Sequence, residues 1–327
     1  MTRQENIFFM KILISRTDRI GDLILSLPIA HSLKKEFGND VNITYLVSDY
    51  TKDILMNNPN IDKIITADVG SSMRGEVRNF SELFFAIKKI KPEVAIVVYP
   101  RISIALLLKF AGIEKIIGTS KRIYSFLFTH RVSQERKKAE KHEVEYNLEL
   151  LKPLNINPTM EHPKIYITEE EREEGEKFWE GINNGGKVKV IVHPFSKASA
   201  FSPPKHYYEK LIEELSKNRF SIAVIGRTTE KFNLGIPNVL NLTNRLSLRE
   251  TIKFISSCDV FISSSTGPTH IAASLNKSLL SFYPSFGPTS FKRWGPLCDR
   301  KKIFIVNKQE DLPPLEEVIE EIKKLKT

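Results

Sequence analysis

A run of small hydroxylated residues beside a glycine and a histidine is the stretch of this sequence best suited to binding an anion. It extends from Ser263 to His270 and reads SSSTGPTH. The apolar, strand-type run Val260–Ile262 precedes it, and Pro268 suits the first position of a helix. A helix start offers free N–H groups and a partial positive charge, so the pattern predicts a phosphate site with extra donors from the hydroxyls and His270. A helix cap inside an ordinary βαβ unit would give the same local pattern.

Strand and helix patterns alternate along the chain, both before and after this stretch. The strand Lys11–Arg16 runs into a polar loop, and apolar residues at steps of four then predict a helix that begins or kinks at Pro28. Such alternation predicts a parallel sheet with helices on both faces. We predict strands at 11–16, 42–48, 61–68, 94–99, 189–195, 221–226, 239–243, 260–262, 279–283 and 303–306. We predict helices at 29–37, 51–58, 81–90, 104–111, 142–151, 169–179, 205–218, 247–257, 268–275 and 314–325.

The length predicts two domains. With 327 residues, 41% of them hydrophobic and 27% charged, the chain has the composition of a soluble globular protein with more than one core. Three prolines and then the run Gly181–Gly186 separate the two alternating halves, and this run is the best linker candidate. We therefore predict an N-terminal domain at 1–165, a linker at 166–186 and a C-terminal domain at 187–327.

Several protein classes are poorly supported. No stretch approaches the ~20 apolar residues of a spanning helix, and the N-terminus lacks the apolar segment of a signal peptide. Cys258 and Cys298 form neither a disulfide framework nor a metal spacing, which favours a reducing cytoplasm. The dinucleotide-binding and P-loop patterns are missing, as is an Asp-x-Asp pair for a divalent ion. We expect no metal and no cofactor, so protein donors would carry the charge of a phosphorylated ligand.

The net charge of +10 points to an anionic partner. Much of the excess lies between Lys121 and His142. This segment is either a solvated face or a surface for anionic membrane or an anionic glycolipid. No nucleic-acid module accompanies the basic residues, so a nucleic-acid binder has only net charge in its favour.

Four polar loops follow predicted strands, and in open α/β sheets ligands bind outside the carboxyl ends of the strands. The loops are Arg16–Asp22, His193–Ser199, Gly226–Glu230 and Ser264–His270. Two domains whose strand ends face each other would form a cleft lined by these loops.

These loops, in this order, resemble those of glycosyltransferase family 9, the lipopolysaccharide heptosyltransferases. The resemblance rests on the segments ILISRTDRIGDLILSLPIAHSLKKEF, HEVEYNLELLKPLNI, IVHPFSK and SSTGPTHIAASLNKSLLSFYPSFGP, and it covers almost the whole chain. It implies the α/β GT-B architecture, with two Rossmann-like, doubly wound parallel-sheet domains that face each other across a cleft. It also implies inverting, metal-independent transfer of heptose from ADP-heptose to the lipopolysaccharide inner core, by a cytoplasmic enzyme peripheral to the inner membrane.

The resemblance assigns roles to the N-terminal loop. Asp22 matches the family's proposed general base, and a carboxylate within reach of an acceptor hydroxyl can remove its proton. Asp18 is an alternative candidate for this base. Asp22 could instead be a helix-start residue that complements the helix dipole. We assign Arg16, Thr17, Asp18 and Arg19 to acceptor binding, because guanidinium groups match phosphate and carboxylate anions. Solvated or domain-bridging arginines are the alternative.

The remaining matches concern the nucleotide-sugar donor. The resemblance implies diphosphate contacts from Thr266, Gly267 and His270, a ribose contact from Glu230 and packing of Leu246 on the adenine. We include the loop after the first C-terminal strand and the residue before Thr266, which gives the donor set His193, Ser196, Lys197, Glu230, Leu246, Ser265, Thr266, Gly267 and His270. His193 and Leu246 could instead be structural.

The sequence departs from the family pattern in two places. Ser265 stands where the family has Asp, and Ser199 stands where it has Lys, with Phe201 and Ser202 in place of its Trp-Pro pair. These departures leave two alternatives open. One is a related transferase that uses another nucleotide sugar, and the other is a non-catalytic nucleotide-sugar or glycan-binding protein.

Overall fold

The structure is a computed structural model that describes residues 10–69, 77–180, 182, 188–196, 202–218, 220–229 and 235–325. The chain divides into two compact units. Unit 1 comprises residues 1–135 and 143–161, and unit 2 comprises residues 136–142 and 162–327.

Unit 1 is built on a parallel sheet that has six strands within the described ranges, in the order β3-β2-β1-β4-β5-β6. The strands are β1 Met10–Arg16, β2 Val41–Ser48, β3 Lys63–Ala67, β4 Val94–Val97, β5 Lys115–Thr119 and β6 His130–Val132. The α-helices are α1 Ile20–Ile24, α2 Leu27–Phe37, α3 Phe80–Ile90, α4 Ile102–Phe110 and α5 Glu143–Leu148. Short 3₁₀ helices lie at Gly38–Asp40, Asp49–Leu55, Ile123–Leu127 and Glu149–Leu154.

The first strand lies in the middle of this sheet because its side chains are apolar on both faces. Residues Ile12–Ile14 are fully buried, and β1 pairs in parallel with both β2 and β4. One face packs on α3 and α4, where Leu83, Ile87 and Leu108 join the core. Pro28 lies in the first turn of α2, as predicted, where its missing N–H costs nothing.

Unit 2 repeats the same strand order in the part of the chain that the structure describes, β12-β11-β10-β7-β8-β9. The strands are β7 Val188–His193, β8 Phe220–Val224, β9 Val239–Asn241, β10 Val260–Ser264, β11 Ser278–Tyr283 and β12 Lys301–Ile305. The helices are α6 Glu169–Lys177, α7 Lys205–Lys217, α8 Leu248–Ser256, α9 Gly267–Ser274, α10 Phe291–Trp294 and α11 Leu315–Leu325. Short 3₁₀ helices lie at Arg136–Lys138 and Gln309–Asp311.

Local signals set the ends of the unit 2 elements. Strand β7 ends at His193 because the next residue is Pro194, which has no N–H for the ladder. Ser247 caps α8 and its side chain accepts from the backbone N–H of Glu250, which confirms the predicted cap. The core beneath α7 and α11 is formed by Val190, Ile262 and their neighbours on the strands.

Both sheets therefore have the 3-2-1-4-5-6 order of a doubly wound nucleotide-binding fold, and the predicted α/β fold class is confirmed. In this order, ligands bind where the first and fourth strands are neighbours. These strands are β1 and β4 in unit 1, and β7 and β10 in unit 2.

Some elements differ from the prediction. Strands β5 and β6 were not predicted, and the segment predicted as a helix at 51–58 forms the 3₁₀ helix Asp49–Leu55. The predicted linker includes α6, which packs on α8 in unit 2. An ion pair between Glu171 and Arg249, with both side chains largely buried, joins these two helices. Residues 181 and 183–187 lie outside the described residues.

Candidate active site

A buried arginine organises the edge of the unit 1 sheet. Arg16 is the last residue of β1 and is only 2% exposed. Its Nε donates to Asp18 Oδ1 at 2.7 Å, its Nη2 to Asp22 Oδ1 at 2.6 Å and its Nη1 to Asn147 Oδ1 at 3.2 Å. A third carboxylate, Glu143, lies 3.7 Å from Nη1. One guanidinium thus holds three carboxylates in fixed positions.

Two short helices supply three of these partners, and Asp18 lies in the loop between β1 and α1. Asp22 lies in the first turn of α1, where a carboxylate also complements the helix dipole. Glu143 and Asn147 are four residues apart on α5, so they share one face of that helix. Asn147 Nδ2 in turn donates to the carbonyl oxygen of Leu25 at 2.9 Å. This bond fixes the orientation of the Asn147 amide, whose oxygen accepts from Arg16 Nη1.

The charges in this cluster do not balance, because three carboxylates face one cation. Burial raises the pKa of the Asp18 carboxyl to about 8. The neighbouring Asp22 also raises this pKa, and the positive charge of Arg16 lowers it. Burial alone would lower the pKa of Arg16, but Asp18, Asp22 and Glu143 together raise it. Asp22 remains 19% exposed, more than Asp18 at 10%, so Asp22 is the carboxylate better placed to meet a substrate.

The four residues assigned to acceptor binding lie in different environments. Arg19 is exposed at the start of α1 and is available to an anion. Thr17 is buried, and its hydroxyl accepts from Arg101 Nε at 3.1 Å. The carbonyl of Asp18 accepts from the Tyr50 hydroxyl at 2.6 Å. Arg16 is enclosed by its own partners, and this arrangement suits positioning of Asp22 better than direct contact with an acceptor.

The corresponding edge of unit 2 carries hydroxyl groups in place of charges. His193 ends β7 and Ser263 lies opposite it on β10. Ser263 Oγ donates to the His193 carbonyl at 3.0 Å and lies 3.2 Å from His193 Nδ1. Thr266, the N-cap of α9, places its hydroxyl 3.0 Å from Ser263 Oγ and 3.1 Å from Thr269 Oγ1. These side chains form a continuous hydroxyl network at the start of α9.

Burial keeps two histidines of unit 2 neutral: His193 in this network and His270 on α9. It lowers the pKa of His193 to about 4 and, with a smaller contribution from His142, the pKa of His270 to about 3. Because Ser263 donates its hydrogen to a carbonyl, it can only accept from His193 Nδ1. Nδ1 then carries the ring hydrogen, and Nε2 is an acceptor that cannot donate to a phosphate. This tautomer favours the structural role for His193.

A cavity of about 640 Å³ lies beside this network in unit 2. Its volume is in the range of small-molecule sites. Two cations, Lys205 at the start of α7 and Arg227 after β8, give it the charge that a phosphorylated ligand needs. It is lined by Pro194, Phe195, Ser196, Ser202, Pro203, Lys205, Arg227, Thr228, Thr229 and Asn244.

The other predicted donor residues divide into three groups. Gly267 begins α9, directly after Thr266, and Ser265 is partly exposed in the same turn. Leu246 is partly exposed just before the cap of α8, so it is not a fully buried core leucine. Lys197 and Glu230, together with the family-pattern positions Ser199 and Phe201, lie outside the described residues.

The sequence reasoning missed several residues of these sites. Arg101, Glu143 and Asn147 complete the unit 1 cluster, and Arg227 lines the unit 2 cavity. A signal for two of them was present, since Glu143 and Asn147 are polar residues four positions apart in the segment 142–151, which was predicted to be a helix. Arg101 and Arg227 follow predicted strands, which is where ligand-binding residues of such sheets lie.

A metal-binding cluster and a membrane-spanning helix are both absent from the residues that the structure describes. Within them, no group of three or more His, Cys, Asp or Glu side chains is arranged to hold a metal ion. Over the same ranges, no helix has both the length and the apolar character needed to cross a bilayer.

The fold and its two sites define a class of protein. Two doubly wound α/β units, one with a carboxylate cluster and one with a helix start and a basic cavity, are the parts of a GT-B glycosyltransferase. The sequence model of glycosyltransferase family 9 (heptosyltransferase) matches residues 82–323. The chain belongs to this family, and it is a glycosyltransferase.

Similar proteins extend over nearly the whole chain. A putative glycosyltransferase of Haemophilus influenzae is 27% identical over 312 residues, which cover 89% of this chain and 87% of the relative. Lipooligosaccharide heptosyltransferase 2 of the same organism is 25% identical over 315 residues, with 90% and 88% covered. The solved structure of E. coli ADP-heptose lipopolysaccharide heptosyltransferase II has a TM-score of 0.80 at 18% identity and covers 97% of this chain and 98% of that one.

Proposed function

We propose that this protein transfers a heptose from ADP-heptose to the inner core of a lipopolysaccharide precursor, with inversion at the sugar carbon. Family membership supports the class of reaction, and the names of the relatives support this donor and acceptor. The observation that carries the mechanism is the Asp22 carboxylate, which is partly exposed at the edge of the unit 1 sheet and held by Arg16.

In this mechanism Asp22 is the general base. The acceptor hydroxyl attacks the anomeric carbon of the donor while Asp22 takes the hydroxyl proton, and the bond to the ADP oxygen breaks. The attack on the face opposite the leaving group inverts the configuration. The bond from Arg16 Nη2 to one Asp22 oxygen orients the carboxylate, which leaves the other oxygen for the acceptor.

Unit 2 supplies the donor site in this proposal. The ADP leaving group gains negative charge as the glycosidic bond breaks, and the N–H groups at the start of α9 stabilise such charge. The Thr266 hydroxyl, whose hydrogen lies toward Ser263 or Thr269 in this structure, turns to the phosphate when the nucleotide binds, and Lys205 and Arg227 neutralise phosphate charge in the cavity. These protein donors carry the diphosphate, so the proposed reaction uses no metal ion and no cofactor.

We place the enzyme in the cytoplasm, peripheral to the inner membrane, because that is where a glycolipid precursor would be reached. The domain roles follow from the sites, with acceptor binding in the N-terminal unit and donor binding in the C-terminal unit. Neither site supports nucleic acid as a partner.

A product assay tests the function. The full chain is incubated with ADP-heptose and a lipopolysaccharide precursor that lacks the inner-core heptose, and the glycolipid is analysed by mass spectrometry. We expect one added heptose and one released ADP per acceptor. A preparation that binds ADP but forms no product with any truncated acceptor would indicate the non-catalytic alternative.

A second candidate is a transferase with another nucleotide sugar, favoured by Ser265 at a position where the family has Asp. A hydroxyl and a carboxylate present different hydrogen-bond patterns to a sugar. Thermal-shift screening of a nucleotide-sugar panel separates the candidates, because a ligand that binds only the folded state raises the melting temperature. The largest shift should come from ADP-heptose, and a larger shift from another sugar would favour the second candidate.

A further inference from the structure

A short turn in unit 1 has the reverse of the usual burial pattern. In the 3₁₀ helix Ile123–Leu127, Ile123 is 99% exposed and Phe126 is 72% exposed, while the polar Ser125 is only 4% exposed. The turn is kinked at Tyr124, and both apolar side chains lie on its exposed surface; we call this pair the apolar projection. Single exposed apolar residues are common, but a paired projection marks an interaction site more often.

The turn is held rigidly in this orientation. Ser125 Oγ donates to the carbonyl of Thr119 at 2.6 Å and accepts from the backbone N–H of Arg122 at 3.1 Å. Tyr124 points inward, where its hydroxyl donates to the carbonyl of Pro100 at 2.7 Å. The polar and aromatic neighbours thus fix the backbone, and the two apolar side chains remain outside.

The far end of the turn is locked by close packing. Phe128 is buried against Gly118, where a β-carbon would lie only 2.6 Å from the phenyl ring. Only glycine allows this approach, which keeps the segment close to the end of β5.

Three cations lie near the turn: Lys121 and Arg122 directly precede Ile123, and Arg131 lies opposite Gly118 in the pairing of β5 with β6. Lys121 and Arg131 are exposed, and Arg122 is partly exposed. Lys121 pairs with Glu135, but both side chains remain about half exposed, at 51% and 49%, and such a surface pair holds its charges only weakly. An apolar projection with cations around it matches an anionic bilayer, whose headgroups attract the cations while its acyl boundary accepts the side chains.

The turn lies at the same edge of the sheet as the carboxylate cluster. Pro100, which accepts from Tyr124, precedes Arg101, and Arg101 donates to Thr17 beside Arg16. A membrane bound at this turn would therefore be near the site that we assign to the acceptor.

We propose that Ile123 and Phe126 insert into the surface of an anionic membrane, with Lys121, Arg122 and Arg131 at the lipid phosphates. This deepens the proposed function, because it names the element that brings the enzyme to a membrane-embedded acceptor. The binding itself can be measured without donor or acceptor, so the two proposals can fail separately.

Vesicle sedimentation tests the insertion. The full chain is mixed with vesicles of phosphatidylethanolamine and phosphatidylglycerol, or of phosphatidylcholine alone. We expect binding to the anionic vesicles, with a loss of at least about tenfold in the Ile123→Ser/Phe126→Ser variant. Phe286→Ser is the matched control, since Phe286 in unit 2 is also 72% exposed, and it should bind like the wild type.

Three outcomes would overturn the proposal. The first is unchanged binding by the double variant, and the second is equal binding to neutral and anionic vesicles. The third combines two results: wild-type protein does not bind vesicles, and it forms a concentration-dependent oligomer that the double variant does not form. This outcome would mean that the turn is a contact between copies of the chain. Melting curves of both variants show whether the fold is kept, and the exposure of the two side chains predicts that it is.

Turnover gives a second measurement. The double variant should lose activity toward an acceptor in anionic vesicles and keep it toward a short acceptor in detergent. An equal loss with both acceptors would mean that the turn contacts the acceptor itself and would contradict membrane insertion.

Discussion

The two units place opposite chemistry on the same scaffold. In each unit, the end of the first strand is hydrogen-bonded to the N-cap of the helix that follows the fourth strand. In unit 1, Arg101 is the N-cap of α4 and donates to Thr17. In unit 2, Thr266 is the N-cap of α9 and bonds to the His193–Ser263 pair. Unit 1 fills this position with a cation and carboxylates. Unit 2 fills it with hydroxyls and a neutral histidine.

The difference matches two tasks of a glycosyl transfer. Moving a proton needs a carboxylate that is held in place, and unit 1 provides one beside a buried guanidinium. Holding a diphosphate needs donors without nearby carboxylates that would repel it, and the start of α9 provides them. The shared strand order thus sets where a site forms, and the side chains set what it does.

The largest expected effect concerns the base. Asp22→Asn keeps the size of the side chain and removes its ability to take a proton. We expect turnover to fall by about 10²- to 10⁴-fold, the usual contribution of a positioned base. Steady-state kinetics with saturating donor and acceptor measures it. Asp49→Asn is the control, because Asp49 is an exposed carboxylate of the same unit. If Asp22→Asn lowers turnover by tenfold or less, Asp22 is not the general base.

The next effect concerns the cluster around Arg16. Arg16→Met leaves the carboxyl groups of Asp18, Asp22 and Glu143 without their cation, and removing one partner of a buried ion pair costs about 3–5 kcal/mol. Urea unfolding of unit 1, followed by its tyrosines or by hydrogen exchange, should show this loss. Arg19→Met removes the same group from an exposed position and should change stability by less than about 0.5 kcal/mol. Equal stability of the two variants would contradict the clamp.

The two sites should also respond to pH with opposite sign. The folded-state pKa of His193 is about 4, below its ordinary value of 6.5, so unit 2 loses stability as the pH falls from about 6.5 to 4. The folded-state pKa of Asp18 is about 8, above its ordinary 3.8, so its contribution to unit 1 is lost as the pH rises through that interval. Each slope is at most about 1.4 kcal/mol per pH unit for one proton.

Tryptophan fluorescence isolates the unit 2 response, because the chain has 2 tryptophans and both, Trp179 and Trp294, belong to unit 2. Melting temperatures by this signal should fall between pH 6.5 and 4, and His193→Gln should make the fall less steep, because His270, whose pKa is also lowered by burial, still contributes to it. A flat wild-type curve would mean that His193 is not held neutral by burial.

The smallest effect concerns the hydroxyl network. Thr266→Val removes one hydroxyl from the start of α9 and keeps the shape of the side chain. The loss of one hydrogen bond is worth about 1 kcal/mol, so ADP should bind roughly fivefold more weakly. Thr251→Val is the control, since that hydroxyl donates to the Ser247 carbonyl of its own helix cap. Unchanged ADP affinity of Thr266→Val would exclude Thr266 from the donor site.

Local patterns were enough to predict much of this fold. The apolar runs that became β1 and β10, the proline at the start of α9 and the cap at Ser247 are all signals within a few residues. Strand β6 could not be predicted in this way, because it has only 3 residues, His130–Val132, and two of them are exposed.

The candidate sites depend on contacts that no local pattern contains. Arg16 and Asn147 are 131 positions apart in sequence, and only the packed fold brings the amide to the guanidinium. The sequence therefore predicted Asp22 and Arg16 as polar residues after a strand, but it could not show that one holds the other. The family resemblance supplied a role for Asp22 that spacing alone would have left open.

The most direct test of this division of labour is a calorimetric titration of ADP into the Asp22→Asn protein, with turnover measured on the same preparation. We predict ADP affinity within about twofold of the wild type together with lost turnover, because in the proposed function unit 2 holds the nucleotide. A parallel loss of ADP affinity, or full turnover with affinity unchanged, would contradict it.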